Sequence, residues 1–240
     1  MIRMRRGYNK GGRRVIIRMG GDTEGKGWSM FVGRRMTKDP KTVSPEDTLT
    51  EAAEIMRRCG GINHLPVVEG GKLVGILSDT DLRNASLASG QKESASKGEP
   101  RRVREVMNTD VWSLTPEDSL EDALLIIRRR KFGALPVLSG DRLVGIITKI
   151  DLLNAVIDVL NLEEVGLRIE VSLPHDLKGF EELISALEGM KANVSSCIIT
   201  PEKEKGGMKA LLRLDTIEGP KVLSALRAKR FTVTGTSGLP

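Results

Sequence analysis

Two stretches of the chain follow one pattern: residues 63–82 read NHLPVVEGGKLVGILSDTDL, and residues 133–152 read GALPVLSGDRLVGIITKIDL. Both contain Leu-Pro-Val, then Leu-Val-Gly-Ile, then Ser or Thr three residues before an Asp. The copies are offset by 70 residues here and by 71 residues upstream, where Met36-Thr37 corresponds to Met107-Asn108. So many ordered matches with a single gap indicate a duplicated structural unit rather than shared composition.

Each copy predicts the same local structure. A helix is expected to begin at Ser44 and at Thr115, because each is followed by Pro and then by an acidic residue at the capping-box position. Ser78 and Thr148 are each expected to cap a second helix. Strands are predicted at 41–43, 65–68, 73–77, 111–114, 135–138 and 143–147. The result is a pair of small α+β units, which favours packing one against the other.

These ordered motifs resemble the CBS (cystathionine β-synthase) pair, also called a Bateman module, over residues 31–160. The resemblance assigns residues 31–90 to a first CBS unit, the polar residues 91–100 to an exposed linker, and residues 101–162 to a second CBS unit. It also implies clefts between the two units that accept AMP, ADP or ATP, or sometimes S-adenosylmethionine, as regulatory ligands.

The Gly-x-x-Ser/Thr-x-x-Asp motif stands at a predicted strand-to-helix junction. Its glycine allows a close backbone approach, the helix N-terminus attracts phosphate, and its carboxylate can bind both ribose hydroxyls. The candidate ribose-binding pairs are Ser78 with Asp81 and Thr148 with Asp151. The same residues also fit a second interpretation, in which they are ordinary capping boxes.

The two motifs differ in charge. Lys149 follows Thr148 and can reach a phosphate, and a hydrogen bond to a charged group contributes about 1.5–3 kcal/mol. Asp79 occupies the matching place in the first copy and would repel a phosphate, although Arg83 could compensate. We therefore expect Thr148, Lys149 and Asp151 to form the stronger nucleotide site.

The resemblance adds further residues to the ligand cleft: Thr42, Val43, His64, Pro66, Ser113, Leu114 and Pro136. Trp112 either stacks on a base or packs partly into the core. His64 is expected to form a pocket wall or a packing contact, since His175 is the other histidine of the chain and no cluster of metal ligands surrounds either one. No nucleophile and base, metal cluster or P-loop is evident, so the sequence predicts neither catalytic residues nor a required cofactor.

Residues 167–235 follow a different pattern, in which alternating strands and two helices give the order βαββαβ. This order is ferredoxin-like, and the segment resembles an ACT domain, a module that often binds amino acids at dimer interfaces. The expected ligand position is the turn that includes Asp176 and Gly179. A dimerising or interaction role is the alternative.

The net charge of +6 does not indicate a nucleic-acid-binding surface, because the excess lies within residues 1–30, while the remaining residues are balanced. We interpret residues 1–30 as a basic flexible tail or as an artefact of start-site choice. Their longest apolar run, Val15-Ile16-Ile17, is too short to cross a membrane, so a cytoplasmic protein is expected. Cys59 and Cys197 are expected to be buried and unpaired.

Two CBS units followed by an ACT-like domain resemble the bacterial acetoin-utilisation regulatory proteins over residues 31–235. The resemblance implies a homodimeric, non-catalytic regulator that responds to an adenine nucleotide and acts on a protein target. Two other classes fit the sequence: a dimerisation scaffold with degenerate sites, and a nucleic-acid regulator that depends on residues 1–30.

Overall fold

The computed structural model describes residues 15–17, 30–90, 100–163, 165–190, 192–202, 206–216 and 218–237, without the side chains of 15–17 and 88–90. The chain divides into two compact units, with the boundary between Asn154 and Ala155. The first unit contains both repeats. The second contains the C-terminal segment and a short strand, β1 (Val15–Ile17).

The two repeats contain the same series of elements. The first follows α1 (Val32–Arg35) and β2 (Thr37–Lys38), and consists of α2 (Leu49–Arg58), β3 (His64–Glu69), β4 (Lys72–Ser78) and α3 (Asp79–Gly90). The second follows a 3-10 turn (Val103–Glu105), and consists of α4 (Leu120–Arg130), β5 (Ala134–Ser139), β6 (Arg142–Thr148) and α5 (Lys149–Leu160). The mixed α+β class predicted from the sequence is confirmed for these two repeats. The linker predicted at 91–100 falls outside the described residues apart from Pro100.

Both first helices begin later than predicted. Helix α2 is capped by Thr48, whose hydroxyl accepts a hydrogen bond from the Glu51 amide at 3.2 Å, and α4 is capped by Ser119. At Ser44 the chain forms a turn instead, closed by the Ser44 amide donating to the Asp47 carboxylate at 2.8 Å.

A turn forms here because a distant segment donates hydrogen bonds to its backbone carbonyls. The Val103 amide donates to the Asp47 carbonyl at 2.9 Å, and the Arg104 amide donates to the Pro45 carbonyl at 3.0 Å. These carbonyls therefore do not accept the bonds that continue a helix. The turn at Thr115 is used in the same way, since the Gly33 amide donates to the Pro116 carbonyl at 2.9 Å.

The repeats exchange short segments. Strand β2, which precedes the first repeat, pairs antiparallel with β6 of the second repeat through Thr37–Ile146 and Lys38–Gly145. Asn108, which precedes the second repeat, forms an antiparallel bridge with Ile76 on β4 of the first. Each repeat therefore completes the sheet of the other, so the pair folds as one unit.

The predicted strands at 41–43 and 111–114 are reduced to single bridges. Val43 bridges Val67 and Leu114 bridges Val137, both in parallel orientation. Pro66 and Pro136 immediately precede Val67 and Val137, and both prolines are buried. The prediction of full strands at these positions was wrong, because each segment pairs with its hairpin through a single bridge.

The C-terminal unit shows the predicted element order. In chain order it contains β7 (Leu167–Leu173), α6 (Leu177–Gly189), β8 (Asn193–Glu202), β9 (Gly207–Asp215), α7 (Gly219–Ala228) and β10 (Thr232–Ser237). The strands form one sheet in the order β1-β8-β9-β7-β10, and every neighbouring pair is antiparallel. Strands β8 and β9 form a hairpin, in which β8 continues to Glu202 and β9 begins at Gly207.

One face of this sheet carries the core. Alternate residues of β7, such as Ile169 and Val171, are fully buried and pack with Leu183 of α6 and Leu226 of α7. Period-two alternation along the strand and a helical stripe on each helix together bury this core.

The interpretation of residues 1–30 as a flexible tail does not hold for Val15–Ile17, which pairs with residues 197–199 of β8. Three consecutive β-branched residues suit an edge strand. Residues 1–14 and 18–29 lie outside the described residues. Cys197 is buried as expected, and burial raises the pKa of its thiol to about 11, whereas Cys59 is only half-buried.

Candidate functional site

Both strand-to-helix junctions are capping boxes. The Asp81 carboxylate accepts hydrogen bonds from the Ser78 amide at 2.8 Å and from the Ser78 hydroxyl at 2.6 Å. Asp151 accepts from the Thr148 amide and hydroxyl, each at 2.8 Å. The capping interpretation is therefore confirmed at both motifs. In each case the bonds involve the Oδ2 atom of the carboxylate.

The motif glycines are needed for chain packing, which differs from the prediction that they admit a ligand. A Cβ atom on Gly75 would lie 2.7 Å from the Met107 sulfur and 3.2 Å from the Asn108 carbonyl oxygen. A Cβ on Gly145 would meet Met36 and lie 3.0 Å from the Thr37 oxygen. Both approaches come from the segments that the repeats exchange.

The predicted cleft residues before each hairpin divide into buried and accessible ones. Val43 and Leu114 are core residues, 3% and 2% exposed, so a ligand could meet only their main chain. Their amides already donate to the Pro66 and Pro136 carbonyls, at 3.1 and 3.0 Å. Thr42 is exposed and Ser113 is half-buried, which leaves these two side chains accessible beside the strands.

His64 links the two repeats. It is the first residue of β3 and pairs with Ser78 on β4, while its imidazole lies directly against the Cα atom of Gly133 in the second repeat. The Gly133 carbonyl in turn accepts a hydrogen bond from the Lys149 amide at 3.1 Å. The expected packing role of His64 is therefore observed, and it brings the two motifs together.

We call the set joined by His64 the junction cluster: His64, Ser78, Asp79, Asp81, Gly133, Thr148, Lys149 and Asp151. Gly133 was not identified from the sequence. Gly133 occupies the position that matches Asn63 in the first repeat, and no spacing in the sequence indicates its contact with His64.

Charge in the junction cluster is uneven. Asp79 forms an ion pair with Arg83, with 2.8 Å between the carboxylate oxygen and the guanidinium nitrogen, so the start of α3 keeps the negative charge of Asp81. Lys149 at the start of α5 has no carboxylate within 4 Å in the described ranges. Arg83, which was predicted to compensate for the negative charge of the first motif, pairs with Asp79 itself. In the second motif, the Lys149 ammonium has no such partner among the described residues.

The pKa of His64 is lowered from its ordinary value of 6.5. Burial is the largest cause, because it penalises the charged imidazolium, and the Lys149 ammonium lowers the pKa further. The Asp81 and Asp79 carboxylates oppose this with smaller effects. His64 is therefore neutral near pH 7.

Trp112 has a neighbour on its ring face. The Arg130 guanidinium carbon lies 4.3 Å from the centroid of the indole, which is cation–π geometry. Trp112 is half-buried, and on the ring face that Arg130 covers a base could stack only if Arg130 moved.

A groove of about 520 Å³ lies between α2 and α3 and was not identified from the sequence. Its lining is mostly apolar and includes Ala53, Met56, Ile62 and Leu82, with the Asp79–Arg83 ion pair at its edge. Ala53 and Gly61 are small lining residues that leave this space open. Their positions on and after α2 are the feature of the sequence that could have indicated a groove.

In the C-terminal unit, Asp176 caps α6, since the Gly179 amide donates to its carboxylate at 3.1 Å. A Cβ on buried Gly179 would lie 2.5 Å from Pro174, so this glycine is needed for the turn to pack. Among the described residues no group of three His, Cys, Asp or Glu side chains could hold a metal, and no described helix is long and apolar enough to cross a membrane.

The CBS domain family matches the chain twice, at residues 32–88 and 103–158. The CBS domain-containing protein YhcV of Bacillus subtilis is 37% identical over 117 residues, which cover 49% of this chain and 79% of that protein. An inosine-5'-monophosphate dehydrogenase of Korarchaeum cryptofilum is 36% identical over 118 residues. That match covers 48% of this chain and only 22% of the enzyme, so it concerns the CBS part alone.

Solved structures match the same half of the chain. A Vibrio cholerae protein assigned to acetoin utilization (AcuB) is 36% identical and covers 55% of this chain and 96% of that one, with a TM-score of 0.49. CBSX2 in complex with AMP is 28% identical and covers 55% and 98%, with a TM-score of 0.47. CBS pairs are generally regulatory and non-catalytic modules. With both repeats matched and a relative of this identity covered over most of its length, the chain belongs to the CBS domain-containing proteins.

Proposed function

We propose that this protein is a non-catalytic regulator that binds an adenine nucleotide of the AMP, ADP or ATP class at the junction cluster. The observation that carries this proposal is the meeting of the two motifs at His64, with Lys149 unpaired at the start of α5 in the described structure. A helix start and an unpaired cation favour a phosphate. The membership of the CBS family supports an adenine nucleotide as the ligand.

Each member of the proposed site has a role. The Lys149 ammonium binds the phosphate, because the Lys149 and Asp151 amides already donate within the protein. The carboxylates of Asp151 and Asp81 bind ribose hydroxyls through Oδ1, the oxygen that the capping hydrogen bonds do not use. Thr42 and Ser113 flank the base with their side chains. Val43, Leu114, Pro66 and Pro136 contribute main chain and shape, because their side chains are buried.

In this proposal the C-terminal unit transmits the nucleotide signal from the CBS pair. Its strand order β8-β9-β7-β10 with two helices on one face supports a ferredoxin-like, ACT-like domain. In this proposal the protein is a cytoplasmic homodimer, and nucleotide binding changes how the ACT-like domain engages a second copy or a protein target. In this proposal Asp176 and Gly179 hold an amino-acid-like ligand, and the resemblance of the sequence to the acetoin-utilisation regulatory proteins supports acetoin or carbon metabolism as the regulated pathway.

Titration calorimetry with AMP, ADP, ATP and S-adenosylmethionine tests the nucleotide site. We expect micromolar binding of one adenylate to the full chain and a loss of at least about tenfold in Asp151→Asn, the size of one charged hydrogen bond. Asparagine retains a capping oxygen, so this variant separates the ribose contact from the helix cap. Asp141→Asn, at the exposed turn between β5 and β6, is the matched control and should bind normally.

A structural scaffold is the second candidate, because apolar side chains are exposed on the helices of the pair. Leu87 on α3 is 72% exposed, and Ile150 and Leu153 on α5 are 61% and 53% exposed. Exposed apolar side chains on neighbouring turns suit a protein interface. The absence of heat with every nucleotide, together with a dimer that Leu153→Asp dissociates in light scattering, would favour this scaffold over the sensor.

A further inference from the structure

The contact between His64 and Gly133 places an ionisable group of the first repeat beside the proposed phosphate position of the second. A Cβ on Gly133 would overlap the imidazole and lie 3.3 Å even from its more distant Cδ2 atom, so the ring rests on the glycine. The same glycine holds the Lys149 amide through its carbonyl. His64 is thus separated from the start of α5 by a single residue.

The groups that face His64 come from two helices. Lys149 at the start of α5 disfavours the imidazolium, while Asp79 and Asp81 at the start of α3 favour it. Asp79 is largely compensated by Arg83, and Asp81 is engaged by Ser78. Burial and Lys149 prevail, which leaves the ring neutral in the absence of a ligand.

We propose that His64 takes up a proton from solvent when a phosphate binds at Lys149, and so reports in the first repeat on a nucleotide held by the second. This inference rests on the proposed nucleotide site. A phosphate carries about −1.5 to −2 charge near pH 7, so it cancels the effect of Lys149 and adds a negative charge of its own. The neutral ring nitrogen becomes an N–H donor, and no other bond is made or broken.

The proposal selects among adenine ligands. Phosphorylated ligands gain an attraction from the imidazolium that an uncharged nucleoside does not. Affinity for AMP is therefore expected to strengthen relative to adenosine as the pH falls from about 8 to about 6, the range in which imidazole titrates. Because the phosphate also titrates near pH 6, the informative quantity is the ratio of affinities between the natural chain and His64→Gln.

Proton NMR measures the protonation of His64 directly, because the chain contains two histidines, His64 and His175. His175→Gln assigns the two imidazole signals in the full chain. Saturating AMP is expected to raise the titration midpoint of His64 by about one pH unit, the effect of a nearby charge at an effective permittivity of about 20. Adenosine should leave the His64 midpoint in place.

Two lysine variants test the charge without relying on a histidine substitution. Lys149→Met should raise the His64 midpoint in the ligand-free protein and reduce the further rise with AMP. Lys72→Met removes the same charge from the far end of the β3–β4 hairpin, roughly 20 Å away at 3.3 Å per residue, and should change neither.

The outcomes separate the two proposals. If AMP binds by calorimetry and the His64 midpoint stays within about 0.2 pH units, the proton uptake is refuted while the nucleotide site stands. If AMP produces neither heat nor a shift, the nucleotide site fails and this inference fails with it. An unchanged His64 midpoint in ligand-free Lys149→Met would also overturn it, because the two groups would then not interact.

Discussion

Replacing Gly133 by alanine tests the contact that joins the two repeats. The new Cβ would overlap the His64 ring, which must rotate away inside a packed interface. Overpacking of this kind costs about 1–3 kcal/mol of the free energy of unfolding. Removing the ring by His64→Ala makes room for the methyl group. The double variant should therefore be more stable than the sum of the single changes by about 1–2 kcal/mol.

Urea unfolding followed by tryptophan fluorescence measures this coupling. The chain has two tryptophans, and a Trp28→Phe background leaves Trp112, in the second repeat, as the reporter of the first unit. Asn63→Ala changes the exposed residue at the matching position of the first repeat and should have little effect. Additivity of Gly133→Ala and His64→Ala within about 0.5 kcal/mol would refute the contact and, with it, the proximity of His64 to α5.

Three further predictions concern single groups. The native pKa of His64 lies below the unfolded value of 6.5, so folding favours the neutral ring and the free energy of unfolding should fall as the pH drops below 6.5. Thermal melting followed by circular dichroism should show a smaller loss in His64→Gln. Thr48→Ala should lower stability by about 0.5–2 kcal/mol in the same assay through the lost cap of α2, whereas exposed Thr50→Ala should not exceed the change expected from helix propensity. Half-buried Cys59 should react with a thiol reagent at pH 8 faster than Cys197, whose thiol has a pKa of about 11; equal rates in the native protein would contradict the burial of Cys197.

Local patterns predicted most of the elements. The hairpins around Leu65–Pro66 and Leu135–Pro136 and the helices after Ser78 and Thr148 occur where the sequence indicates, because alternation and capping act within a few residues. The errors at Ser44 and Thr115 have one cause. Their Ser/Thr-Pro-x-Asp pattern is locally compatible with both a helix start and a turn, and the distant segments at Val103 and Gly33 select the turn.

The candidate site shows the same division between local and distant information. The pairs Ser78–Asp81 and Thr148–Asp151 could be identified as caps and as ligand candidates from spacing alone. Neither the role of Gly75 and Gly145 in admitting exchanged segments nor the groove between α2 and α3 could be predicted, because each depends on atoms far away in the chain.

The sequence by itself determined the duplication, the α+β class, the order of elements in the C-terminal unit and the unequal charge of the two motifs, because periodicity, capping and charge are properties of neighbouring residues. Only the tertiary structure decided that β2 completes the sheet of the second repeat, that Asn108 returns the exchange, and that His64 lies on Gly133 beside Lys149. These contacts join residues about 30 to 110 positions apart, and their formation depends on how the two repeats pack, which no local pattern encodes.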